Sequence, residues 1–252
     1  MSDVQGAANI VGQGNLKFGN IIRTGFSVFK IPVIVPVILI GAAIAFLVTY
    51  FFPPPAIATP ETLSTYLPGA LLRAGIVLVI EFILGAIVAF AVFEHLAGRA
   101  ISFGQCVALL VPRLLPYLVL LVISSVLESL GFLLLVVVGV ILALMWYVAG
   151  PALLIEKLGP IASLQRSAFL TKGSKGQLFG LSLLLVLVFA GFGVVQFVLQ
   201  FLIPVVVVKA AIIAVIGQIA YAYGFSVLTV VYRDLRRLRE GPESGAVAAV
   251  FS

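Results

Sequence analysis

Six apolar runs separated by short polar breaks organise this chain, and its fifteen Lys and Arg residues fall almost wholly in alternate breaks. Lys17, Arg23 and Lys30 precede the first run, and Arg99 and Arg113 lie between the second and third. Lys157, Arg166, Lys172 and Lys175 lie between the fourth and fifth, and Arg233, Arg236, Arg237 and Arg239 follow the sixth. Thirteen cations therefore fall on one side, against Arg73 and Lys209 on the other. Short loops rich in Lys and Arg stay cytoplasmic. The pattern predicts an all-α bundle of six membrane-spanning helices in a bacterial inner membrane, with both termini cytoplasmic.

Composition agrees. The chain is 63% hydrophobic and 10% charged, where soluble domains average about 25% charged. Six spans of about 20 residues each use most of its 252 residues. The net charge of +6 sits beside membrane ends, where topology and anionic headgroups account for it without nucleic acid. Cys106 is the single cysteine, which excludes an intrachain disulfide and a cysteine-cluster metal site. The first fifteen residues lack the pattern of a cleaved signal peptide, so the first span is expected to direct insertion.

The expected organisation is a mobile tail over 1–15, one six-helix domain over 16–240, and a C-terminal tail over 241–252. From Leu16 to Lys30, Phe18, Ile22, Phe26 and Phe29 share one helical face and polar residues the other, as in a helix lying at the cytoplasmic interface. Pro53-Pro54-Pro55 stops the first span, and Thr59-Pro60-Glu61 reads as the start of a short separate helix before span two. A second interfacial helix opens at Ser102, with Gln105 at capping-box spacing. A third runs from Gly159-Pro160 to Lys172-Gly173. The unit is thus a cytoplasmic interfacial amphipathic helix followed by a transmembrane hairpin, used three times. The unbroken apolar stretch over 116–155 gives about 60 Å of helix, enough for two crossings. Its turn is placed near Gly139, the alternative being Ser129 to Gly131. Spans five and six meet at Pro204.

Polar residues inside the spans are the candidate site. Glu81 lies mid-way along span two, and Glu128 lies in span three on a stripe with Ser124, Ser125 and Ser129. A mid-bilayer carboxylate costs about 2.5–3.5 kcal/mol on insertion scales and marks function by default. Each acid is either a protonated or hydrogen-bonded strut inside the bundle or part of an ion or proton path. Gln196 and Gln200 share a face of span five, and Gln218 in span six lies three residues before Tyr221. Gly176 with Gly180, Gly85 with Ala89, and Ala220 with Gly224 have spacing that permits close helix approach. His95 is the only histidine, and there is no Walker loop or dinucleotide fingerprint. No catalytic constellation, metal site or cofactor is expected. On the cytoplasmic side, Arg166, Lys172, Lys175, Arg233, Arg236, Arg237 and Arg239 form a candidate surface for anionic lipid or a partner subunit.

Gly159-Pro160-Ile161-Ala162-Ser163-Leu164-Gln165-Arg166-Ser167, followed by Leu170-Thr171-Lys172-Gly173, resembles the signature loop of a bacterial membrane-protein family. That family is similar to the integral-membrane domain found ahead of some glycerophosphodiester phosphodiesterases. Tyr232-Arg233-Asp234-Leu235-Arg236, and Trp146 with Pro151 and Glu156, fit the same pattern. The resemblance covers most of residues 100 to 241, weakens toward the N-terminus, and implies a six-span helical fold. It does not imply phosphodiesterase activity, because nothing here resembles the soluble catalytic barrel and a single histidine supplies no acid–base pair.

The leading expectation is a non-enzymatic scaffold, assembly or accessory protein for another membrane complex or for lipid organisation. A small-solute or ion-coupled transporter or channel, acting as an oligomer, is the alternative. Expected partners are the bilayer, its anionic lipids, and another membrane protein or a second copy.

Overall fold

A backbone crossing hydrocarbon must satisfy its own polar groups, and this sequence does so with helices almost throughout. The computed structural model describes residues 16–51 and 60–241. The expected N-terminal tail, the C-terminal tail beyond Gly241, the triple-proline stop and Thr59 lie outside the described residues. Among those described there is no strand, and six helical stretches are long and apolar enough to cross a membrane. The chain is an all-α, six-span membrane protein.

Helix α1 (Phe18–Gly25) and a 3-10 turn (Phe26–Lys30) precede the first hairpin, α2 (Ile34–Phe51) and α3 (Pro60–Leu96). Helix α4 (Phe103–Leu110) and a second 3-10 turn precede α5 (Leu114–Leu134), which pairs with α6 (Val136–Met145) and α7 (Ala149–Glu156). Helix α8 (Pro160–Thr171) precedes α9 (Lys175–Leu202) and α10 (Val206–Glu240). The expected unit of short helix and hairpin is present three times. The short helices and most cations share one side of the bundle, termed here the basic side.

Several local expectations hold in detail. Ser102 and Gln105 form a reciprocal capping box: Gln105 N–H donates to Ser102 Oγ at 3.3 Å, and Ser102 N–H donates to Gln105 Oε1 at 2.8 Å. Helix α8 has Pro160 in its first turn, and Gly173 follows with φ +79°, a conformation glycine adopts freely. Pro204 separates α9 from α10.

Others are corrected. The turn of the 116–155 stretch is neither at Gly139 nor at Ser129–Gly131 but at Leu135, whose φ of −155° breaks the helix. Gly131 and Gly139 remain helical and let α5 and α6 touch: a Cβ on Gly131 would lie 3.1 Å from Gly139 Cα. Glycine here serves close packing rather than turning. Span two and the short helix before it are one continuous 37-residue helix running through Pro68. Helix α1 is amphipathic, but Ile21, Gly25 and Val28 form its buried face, while Phe26 and Phe29 are exposed. The reason is close approach. A Cβ on Gly25 would lie 2.6 Å from Val227 Cγ2, and Ser226 Oγ donates to Gly25 C=O at 2.9 Å.

Span four is interrupted between α6 and α7, and α8 repairs the break. Val148 N–H donates to Ser167 Oγ at 3.2 Å. Met145 C=O accepts from Ser167 Oγ at 2.9 Å and from Thr171 Oγ1 at 3.2 Å. Backbone groups freed by a broken transmembrane helix must find partners in the protein, and two buried hydroxyls supply them.

The core lies toward the basic side, where residues 84–92 of α3 are all buried and the second half of α10 is largely so. A Cβ on Gly85 would run into the Phe225 ring, so α3 and α10 approach through that glycine. Toward the other side the helices separate. Gly85→Ala should therefore cost about 1–3 kcal/mol by overpacking, read as a lower melting temperature in detergent. Gly191→Ala, where a Cβ meets nothing within 4 Å, should leave that temperature unchanged or raise it.

Candidate intramembrane cavity

Where α2, α3, α9 and α10 separate, they enclose a cavity of about 790 Å³. Four of the five candidate intramembrane residues line it: Glu81, Gln196, Gln200 and Gln218. They come from three helices, α3 and the consecutive pair α9 and α10. Thr49, Tyr50, Lys209 and Tyr221 complete the polar lining, and Ala45, Ala210, Ile213 and Ala214 supply apolar wall.

The floor is built around Gln218, which is 4% exposed. Its side chain occupies the space that a Cβ on Gly41 would need. From there its Nε2 donates to Glu81 Oε1. Glu81 Oε2 is buried and has no hydrogen-bond partner among the described residues. Beneath the floor an aromatic layer closes the basic side. Tyr221 and Phe225 have ring centroids 4.8 Å apart, and Phe82 stacks on Tyr117 at 4.0 Å. At the mouth, Lys209 Nζ donates to Gln200 C=O at 3.4 Å, and Gln196 Nε2 donates to Ile213 C=O at 3.5 Å.

Sequence spacing carried part of this. Lys209, Tyr221, Thr49 and Tyr50 were not singled out as members of the site. The usable signal was the helical register of Val206, Ala210, Ile213, Ala214, Gly217, Gln218 and Tyr221, a stripe of α10 whose small residues leave room beside its polar ones. Glu128 stands apart. It is half-buried on α5, beside a shallow hollow of about 330 Å³ lined by Ser125, Ser129 and apolar neighbours.

The candidate lipid surface on the basic side divides in two. Arg166 is committed to the protein: its Nε donates to Glu156 Oε1 and Oε2 at 3.0 and 2.8 Å, and its Nη2 donates to Glu240. Arg236 donates to Glu240 Oε2 at 3.0 Å, and Tyr232 O–H donates to Glu156 Oε1 at 2.6 Å. The network ties α7, α8 and α10 together. Burial by itself would lower the Arg166 pKa, but hydrogen bonds and charge from Glu240 and Glu156 hold it above the ordinary value. Arg233 pairs with neighbouring Asp234 at 2.8 Å, and Arg239 Nε reaches Leu170 C=O at 3.5 Å. Lys172 and Arg237 are exposed and Lys175 partly so. A sequence cannot show this division, because it depends on which cations the fold places against Glu156 and Glu240.

No family model, curated protein or solved structure matches this chain. Among the described residues there is also no cluster of His, Cys, Asp or Glu suited to a metal ion.

The two classes of cation separate by experiment. Arg166→Gln should lower stability by roughly 1–3 kcal/mol, less than for a fully buried pair because its partners are partly exposed. Lys172→Gln with Arg237→Gln should leave the melting temperature unchanged. That pair should instead reduce anionic lipid retained through purification, at about 1 kcal/mol per charge. Equal effects of both changes on stability would contradict the division.

Proposed function

We propose that this chain is a non-enzymatic, ligand-handling protein of a bacterial inner membrane, with both termini in the cytoplasm. It holds a small solute or lipid-like molecule in its cavity and acts in transport or exchange as an oligomer. One observation carries the reading: polar residues expensive to place in hydrocarbon converge on a single cavity from separate helices. Glu81 Oε2 is unpaired among the described residues, which leaves it available to a ligand. The cavity volume lies within the range of about 300–1,000 Å³ usual for ligand sites. Thirteen cations on the basic side support placing that side in the cytoplasm, so that the cavity lies in the outer half of the membrane.

A scaffold or accessory role is the second reading. The tips of two hairpins favour it: Leu133 is 81% exposed and Phe201 76%, and their neighbours are apolar too. In a bilayer such tips are covered by lipid, by another membrane protein or by a second copy.

Two measurements test these readings. Cysteine at Ser64 should react with impermeant reagent in intact cells and cysteine at Ser174 should not, the native Cys106 being buried. Labelling of Ser174 from outside would overturn the orientation. Mass spectrometry of native nanodiscs should find a small molecule with the wild type that Ala214→Phe, which fills the cavity, loses. A retained protein partner with no such small molecule in either sample would favour the scaffold.

A further inference from the structure

Glu81 Oε2 is a buried acceptor without a donor, at the floor of a cavity far larger than one ion needs. A carboxyl group in such a place is satisfied either by a proton or by a positive complement, and the size of the cavity leaves room for the second. The resident groups do not supply one. Gln218 offers a neutral amide to the other oxygen. Lys209 lies nine residues before Gln218 on α10, about 13.5 Å of helix rise. Its ammonium is turned to Gln200 C=O at the mouth. With its ammonium held there, Lys209 makes no hydrogen bond to Glu81.

Size and wall chemistry then narrow the complement. A bare divalent cation needs several oxygens converging at contact distance, roughly six to eight for calcium. One carboxylate and scattered amides around about 790 Å³ do not form such a cage. The cavity wall includes Ala45, Ala210, Ile213 and Ala214, which suits a bulky apolar body. Tyr221 adds an aromatic side chain at the floor, a group that attracts cations through its ring. We infer that the cavity takes a lipophilic organic cation, with Glu81 as its counter-ion and Tyr221 beside it. This rests on the reading that the cavity holds a ligand, and it names the class. Val206 and Val207, both exposed at the mouth, leave an apolar rim through which such a molecule enters from the bilayer.

The test uses two probes of nearly one shape and opposite charge, tetraphenylphosphonium and tetraphenylborate, titrated calorimetrically into the full chain in nanodiscs. After subtraction of titrations into empty nanodiscs, whose bilayer takes up both lipophilic ions, the phosphonium should bind with one site per chain, and the borate should show no site. Glu81→Gln, nearly isosteric, should weaken the phosphonium roughly ten- to a hundredfold, as expected for loss of a charged partner. Ala214→Phe should abolish binding without touching charge. No binding of the phosphonium, equal binding of the borate, or an effect of Glu81→Gln within about twofold would each overturn the inference. Borate binding that Ala214→Phe removes would overturn the ligand class while leaving the cavity a ligand site. Binding of neither probe to any variant, with no small molecule retained in nanodiscs, would remove both readings.

Discussion

Hydrocarbon offers no hydrogen bonds, and that constraint governs each irregularity in this fold. Wherever a span breaks, a neighbour must satisfy the exposed backbone. The interruption between Met145 and Val148 is tolerated because Ser167 and Thr171 of α8 reach into it. Helix α8 is therefore more than a surface element. It is held from below by these hydroxyls and at its edge by Arg166, between Glu156 and Glu240. One short helix thus joins span four to span six, and so secures the basic half of the bundle.

Close packing at that end produces open space at the other. Gly25 and Gly85 bring α1 and α3 against α10 near Tyr223, Phe225 and Val227. Helices pinned at one end diverge beyond it. The divergence leaves the polar residues of α3, α9 and α10 facing a cavity rather than one another. Gln218 bridges the boundary, filling the space left by Gly41 on the packed side and holding Glu81 on the open side. The energetics are local: without a hydrophobic driving force between helices in lipid, contact and hydrogen bonding decide where the bundle closes.

Much of this was legible in the sequence. The alternation of charged breaks set the number of spans, and Ser102 with Gln105, Pro160 and Pro204 marked helix boundaries correctly because capping and proline effects are local. Glu81, Gln196, Gln200 and Gln218 stood out because polar residues are costly in lipid. Their meeting was not legible, since it depends on contacts between helices as distant as Glu81 and Gln218. The turn at Leu135 was missed because glycine's turn signal and its packing signal look alike. Arg166 and Arg237 look equivalent in sequence, yet the fold buries one against carboxylates and leaves the other exposed.

The central claim is that α3 and α10 meet through Glu81 and Gln218 at the floor of an open cavity. A double-mutant cycle measures that meeting directly. Unfolding free energies of the wild type, Glu81→Ala, Gln218→Ala and the double variant should be non-additive by at least about 0.5 kcal/mol, as for side chains in contact. Additivity within about 0.3 kcal/mol would mean that the two residues do not interact, and would contradict the cavity described here.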